Sequence, residues 1–181
     1  MNSLLDVVIV SFAKNAECEN ITIQCLNSLL YSENNSKQIF NIIVIESNPN
    51  VKYDHISENI KTYQAPLPYG YNKFLNYGRK QGNSPWVALC NNDLKFEKNW
   101  FSNILKVSQI DSSILSFSPI CPLTHPINGI KVNSGNYQGY QIRKHISGWC
   151  IVQKRLIYEK IGDLDDSFIH WCADNDYALT L

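Results

Sequence analysis

A chain of 181 residues, 44% hydrophobic and 18% charged, has the balance of one folded domain, with enough length to bury a core without disulfide or metal staples. Its 16 basic residues offset 16 acidic ones, which sets nucleic-acid binding aside, because a protein that neutralises many phosphates carries a basic face. The six cysteines (Cys18, Cys25, Cys90, Cys121, Cys150 and Cys172) form no CxxC pair. The apolar run over residues 4–10 is broken by Asp6 and lacks the basic start and cleavage region of a signal peptide. No apolar stretch approaches the roughly 20 residues of a membrane span. These features imply a cytoplasmic protein with reduced thiols that serve as small buried hydrophobes.

Short β-rich runs alternate with helical periodicity along the chain. Residues 7–10 (Val-Val-Ile-Val) read as a buried parallel strand. A helix follows over 17–31, with Ile21, Cys25 and Leu29, flanked by Leu26 and Leu30, as its apolar face. Residues 42–45 are a second buried strand, closed by Glu46-Ser47-Asn48-Pro49, and residues 60–63 a weaker one. Pro66, Pro68 and Gly70 break the chain before a helix over 71–81, for which Gly82-Asn83 is the expected stop. Residues 86–90 form another buried strand that runs directly into Asn91-Asn92-Asp93.

Beyond Asp93 the pattern predicts a helix over 100–109, with Trp100, Phe101, Ile104 and Leu105 inward, then a strand over 114–118. Turn residues crowd 119–139, which reads as a loop or hairpin. A strand over 145–153, a short helix over 155–161 and a last helix over 174–181, with Asp174 or a neighbour near its N-cap, complete the chain. This order predicts an α/β fold with a mostly parallel central sheet flanked by helices. In such sheets ligands collect beyond the carboxyl ends of the strands. Three polar clusters fall there: 11–15, 46–50 and 91–93.

An acid leaving a buried strand is held rigidly at the sheet edge. A hard divalent cation on diphosphate oxygens needs such a carboxylate. Asp93, with Asn91 and Asn92 beside it, is therefore either a metal and diphosphate ligand or an ordinary turn or N-cap acid.

The segment Asn91-Asn92-Asp93-Leu94, followed by Asn99-Trp100-Phe101, resembles the DXD segment of family-2 glycosyltransferases. Five further segments resemble the same family in the same order: 7–12, 43–48, Asn76-Tyr77-Gly78, 162–168 and Ala173-Asp174-Asn175-Asp176-Tyr177. The resemblance covers nearly the whole chain. It implies a GT-A fold in a single domain, 1–95 being the nucleotide-binding half and 96–181 the acceptor-side half. It also implies a nucleotide-diphosphate sugar donor, a divalent cation (Mn²⁺ or Mg²⁺) and inverting transfer to a glycan or lipid-linked acceptor. Surface polysaccharide or glycoconjugate synthesis is the family's usual setting.

Carried over position by position, the resemblance assigns Asp93 to metal and diphosphate and Asp174 to the catalytic base. Glu46 falls on the acid that contacts base or ribose, and Ser11 and Phe12 on the nucleotide pocket. Asn72, Lys73 and Asn76 belong to the donor side, where a helix N-terminus and a cation suit a diphosphate. Asp165 and Asp166 fall on an architectural turn, and Gly148-Trp149 on a segment facing donor and acceptor. Trp149 or Trp171 could stack on a sugar, and His170 could reach phosphate or acceptor. Two departures stand out. Asn91 replaces the first acid of DXD, and Ala173 replaces the acid before the base.

Those departures keep a second reading open: a glycosyltransferase-like module that binds nucleotide without turnover. A sugar-phosphate nucleotidylyltransferase is disfavoured, because 11–19 holds no glycine for a triphosphate loop. Family members continue past the position of Leu181, so the expectation is a minimal or truncated core, with peripheral membrane association left to a missing C-terminal part.

Overall fold

In the computed structural model, which describes residues 3–170 and 172–181, the apolar runs become neighbours in one mixed sheet. Its strands are β1 (Leu5–Ser11), β2 (Phe40–Glu46), β3 (Ile60–Gln64), β4 (Trp86–Asn91), β5 (Ser116–Phe117) and β6 (Cys150–Lys154). Their order across the sheet is β3-β2-β1-β4-β6-β5. β1 to β4 are mutually parallel, and β6 runs antiparallel to both β4 and β5. The predicted halves thus share one sheet, joined at the β4–β6 pair.

The helices are α1 (Ala16–Ser32), α2 (Ser36–Ile39), α3 (Tyr71–Arg79), α4 (Trp100–Ile110), α5 (Tyr158–Ile161) and α6 (Ala173–Thr180). Successive strand side chains point to opposite faces, and the core divides accordingly. Val7, Ile9, Ile42, Val44, Ala88, Cys90 and Val152 meet α1 and α4 on one face. Val8, Ile43, Ile45, Val87, Leu89 and Ile151 meet α3, α5 and α6 on the other. Burial on both faces explains why these strands lack polar alternation.

Several details differ from the sequence reading. The inner stripe of α1 runs through Thr22, Cys25, Leu26, Leu29 and Ser32, while Ile21 is 38% exposed. β5 is limited to Ser116–Phe117, and 119–139 is a loop with one short 3₁₀ turn, Pro126–Asn128. β6 starts only at Cys150, because residues 141–146 fold into a turn closed by hydrogen bonds to Gln141 O. The N-cap residue of α6 is Cys172, in a left-handed conformation, and Asp174 and Asp176 lie in the first turn. Of the cysteines, Cys25, Cys90 and Cys150 are buried and Cys172 is exposed; all six are free thiols.

Asp6, the acid inside the first apolar run, is fully buried. Its carboxylate accepts from Asn41 Nδ2 (2.8 Å), Ser84 N (3.0 Å) and Ser84 Oγ (2.7 Å), and is paired with Arg155. A buried charge persists only with such a set of donors. Gly82 belongs to this arrangement rather than to a helix stop: a Cβ there would fall 2.3 Å from Asp6 Oδ2.

Gly78 sets how closely α3 approaches the sheet, because a Cβ there would lie 2.4 Å from Val8 Cγ1 and 3.0 Å from Ile45 Cγ1. The Gly78→Ala variant is expected to lose about 1–3 kcal/mol by overpacking, despite alanine's better helix propensity. Urea unfolding measures it; a stability equal to wild type would show that α3 can shift freely.

Candidate functional site at the strand ends

Parallel register builds the first row. Ser11 pairs with Glu46 and Val10 with Asn91, so the carboxyl ends of β2, β1 and β4 lie side by side. Three side-chain positions from distant parts of the chain meet there.

Glu46 is 1% exposed. Its Oε1 accepts from Ala13 N (3.0 Å) and Asn48 N (2.7 Å), and its Oε2 accepts from Tyr53 Oη (3.1 Å). Asn48 Nδ2 donates back to Ala13 O (2.7 Å). The carboxylate thus locks the loop after β1 to the loop after β2. Tyr53 is fully buried, and desolvation pushes its phenol pKa up. Next to this lock, Phe12 is 58% exposed, an uncovered ring at the strand end.

Ser11 Oγ lies 2.9 Å from Thr22 Oγ1, which also accepts from Asn92 Nδ2 at 2.8 Å. Thr22 therefore ties the end of β1 to the segment after β4. That segment then exposes Asp93, whose carboxylate makes no hydrogen bond or ion pair among the described residues.

Asn91 accepts at Oδ1 from Tyr71 Oη (2.7 Å), and its backbone N–H donates to Trp149 O (2.9 Å). Tyr71 Oη also lies 3.3 Å from Gly148 O. Burial, with smaller contributions from Cys90, Tyr69, Cys150 and Asp174, holds the Tyr71 phenol well above its ordinary pKa, so it stays a donor. Gly148 in turn touches Asp174: a Cβ there would lie 3.0 Å from Asp174 Cβ and 3.2 Å from its Oδ2. Contacts thus run from Asn91 through Tyr71 and Gly148 to Asp174. A small cavity of about 20 Å³, lined by Tyr71, Asn72, Gly148, Ala173, Asp174 and Tyr177 among others, lies at this junction.

The donor-side assignments on α3 have other partners. Asn72 Nδ2 donates to Asp165 O (2.9 Å). Asn76 bonds Leu164 N (3.0 Å), Leu164 O (2.7 Å) and Asp166 Oδ1 (2.8 Å). Both are buried and clamp the 164–166 turn to α3. Lys73 Nζ donates to Leu67 O (2.8 Å) and Pro68 O (3.2 Å), bracing the proline-rich loop. The structure therefore brings Ser11, Phe12, Glu46, Asn91, Asn92 and Asp93 into one edge, with Asp174 joined through Tyr71. It does not bring Asn76 there.

His170 Nδ1 lies 2.9 Å from Tyr69 Oη, and its ring meets Tyr71 edge-on at 6.3 Å. Trp149 packs against the core and against His125, ring centroids 5.6 Å apart. Trp171 lies outside the described residues. A shallow hollow of about 360 Å³ lined by Lys37, Asn41, Asn59 and Asn83 lies at the opposite, amino end of the strands and contains none of these residues.

No group of three or more His, Cys, Asp or Glu side chains able to hold a metal occurs among the described residues. A cage made by the protein alone is therefore absent there. A single unengaged, exposed carboxylate does fit a cation that arrives on diphosphate oxygens and keeps several waters, the usual mode for Mg²⁺. Asp93 is that carboxylate.

No model of a known family matches the chain, and no curated protein matches its sequence. Solved structures do match. The 1–349 fragment of S. aureus TarS aligns over 99% of this chain and 55% of its own, with TM-score 0.69 and 15% identity. The Pyrobaculum calidifontis mannosyltransferase PcManGT, solved with GDP-Man and Mn²⁺, aligns over 98% of this chain and 51% of its own, with TM-score 0.69 and 12% identity. TarS 1-349 in complex with UDP-GlcNAc gives TM-score 0.64 at 14% identity, over 99% and 54% of the two chains. The fold is a glycosyltransferase fold. The chain spans about half the length of these structures.

Within this glycosyltransferase fold, three residues that connect the site escaped the sequence reading. Thr22 was hidden by the neighbouring Ile21, and Tyr53 lies in a segment with no periodic signal. Tyr71 had one usable signal: it is the first residue after the Pro66–Gly70 break, where a helix opens toward the sheet edge.

Proposed function

We propose that this chain is the catalytic core of an inverting, family-2-like glycosyltransferase that moves a sugar from a nucleotide-diphosphate donor to an acceptor hydroxyl. The observation that carries the reading is the row formed by Ser11, Glu46 and Asn91 at the carboxyl ends of three parallel strands, with the unengaged Asp93 beside it. Ligands of α/β sheets bind at that edge. The matching structures solved with GDP-Man and UDP-GlcNAc support a nucleotide-sugar donor here.

In this reading Phe12 and the Glu46-locked loops form the nucleotide pocket. Asp93 anchors a Mn²⁺ or Mg²⁺ ion carried by the diphosphate. When bound, that cation would offset charge growing on the departing diphosphate. Asp174 takes the proton from the acceptor hydroxyl as its oxygen attacks the anomeric carbon. Attack opposite the leaving diphosphate inverts that carbon. The acceptor is a glycan or lipid-linked hydroxyl in surface polysaccharide or glycoconjugate synthesis. The six free thiols support a reducing, cytoplasmic setting. No described helix is long and apolar enough to cross a membrane.

A second reading, nucleotide binding without turnover, is favoured by one pair of observations: Asn91 and Ala173 each leave a charge out of the site. A thermal-shift screen of nucleotide sugars with and without Mn²⁺ tests both. At about 100 times Kd, a ligand stabilises the fold by about 2.7 kcal/mol, a rise of about 5–11 °C in Tm for a chain of this size. No shift with any nucleotide sugar would overturn both readings. A shift without donor hydrolysis or transfer would leave the binding module.

A further inference from the structure

We propose that Tyr71 is a positioning residue that turns Asn91 into a hydrogen-bond donor toward the nucleotide, so that Asn91 is not a metal ligand. The inference rests on the nucleotide-sugar reading of the site and specifies the polarity of one of its contacts.

An asparagine amide presents an acceptor oxygen on one side and an NH₂ donor on the other. Whichever side the protein engages, the ligand meets the opposite one. Tyr71 Oη donates to Asn91 Oδ1 at 2.7 Å, a short and well-formed bond. Asn91 Nδ2 makes no hydrogen bond among the described residues, and the residue is partly open at the strand-end row. Tyr71 is itself held at both ends. Its backbone N–H donates to Ile169 O at 2.7 Å, and its hydroxyl reaches toward Gly148 O at 3.3 Å. The hydroxyl sits between Asn91, at the end of β4, and Gly148, just before β6, so turning it away would break both contacts.

The chemical consequence is a division of labour across the Asn-Asn-Asp turn. Asn91 offers an N–H to an acceptor oxygen of the nucleotide, from ribose or diphosphate. Asn92 is held by Thr22. Asp93 alone offers anionic oxygen to a cation. Nucleotide affinity should therefore split into a metal-independent part that depends on Asn91 and Tyr71, and a metal-dependent part that depends on neither.

Calorimetry of UDP, GDP and UMP binding, each with and without Mn²⁺, tests this on wild type, Tyr71→Phe, Asn91→Ala and the double variant. Each single change is expected to weaken metal-free UDP or GDP binding about 5–10-fold, the worth of about one hydrogen bond. The double variant should bind no worse than Asn91→Ala, and the factor gained on adding Mn²⁺ should stay as in wild type. A loss seen with UMP as well locates the acceptor on the ribose or the α-phosphate; a loss confined to the diphosphates locates it on the β-phosphate. Either supports the proposal. Additive effects in the double variant, or a Mn²⁺ gain lost with Asn91→Ala, overturn it. Asn91→Asp gives a readout independent of folding defects in Tyr71→Phe. It keeps the oxygen that Tyr71 engages and turns the other toward the nucleotide, so metal-free binding should fall and the Mn²⁺ gain rise. An unchanged profile there also overturns the proposal. Wild type that binds neither UDP nor GDP would instead remove the nucleotide-sugar reading, and this inference with it.

Discussion

Asp93→Ala is expected to remove the metal-dependent part of nucleotide binding while leaving the fold intact. The carboxylate is exposed and has no hydrogen-bond or ion-pair partner among the described residues. Its loss therefore leaves no buried group unsatisfied, and stability should stay within about 0.5 kcal/mol of wild type. Few site residues permit so clean a test, because Glu46 and Asn72 are buried in protein hydrogen bonds. With Mn²⁺ present, UDP or GDP should bind on the order of 100-fold more weakly, about 2.7 kcal/mol. In EDTA, wild type and variant should be alike. Calorimetry checks the first expectation and urea unfolding the second. Binding that is unchanged in Mn²⁺ would remove Asp93 as the metal anchor.

The sheet and the strand-end edge were legible because they depend on local apolar runs. Residues 7–10, 42–45 and 86–90 are hydrophobic on both faces, the pattern of a strand buried on both sides, as in parallel sheets. The polar clusters that follow them had to fall at one edge once the strands were parallel. What stayed hidden depends on partners far away in the chain. α4 is capped by Glu33, whose carboxylate accepts from Phe101 N and Ser102 N, both at 2.9 Å. Nothing near residue 100 announces that cap. The direction of β6 is likewise absent from its composition, since Cys-Ile-Val-Gln-Lys fits either orientation. Ile21 outranks Thr22 on any apolar scale. Thr22 is nevertheless the buried one, because its hydroxyl links Ser11 and Asn92. Asn72 and Asn76 show another kind of hidden partner: Asn72 stands at a helix start that suits a diphosphate and Asn76 in an Asn-X-Gly segment, and the amides of both hold the 164–166 turn. A polar side chain in a sequence does not reveal whether its partner is a ligand or a carbonyl.

Asp174→Asn should retain donor binding and lose transfer. The amide keeps the size of the carboxylate and the oxygen that accepts from Asn175 N at 3.1 Å, and the close approach to Gly148 is preserved. What it loses is the ability to take the acceptor's proton. General-base catalysis typically contributes about 10²–10⁴-fold, so turnover should fall by that range with nucleotide Kd within about twofold. Asp176→Asn is the matched control. It alters the other acid in the first turn of α6, which has no described contact with Gly148 or Tyr71, and turnover should stay near that of wild type. Because Ala173 supplies no carboxylate, the residue before Asp174 cannot take over the proton in the Asp174 variant. Near-normal transfer by Asp174→Asn would therefore dismiss Asp174 as the base. Equal losses in both variants would mean that the acids act through the helix start, and the base would have to be sought outside α6.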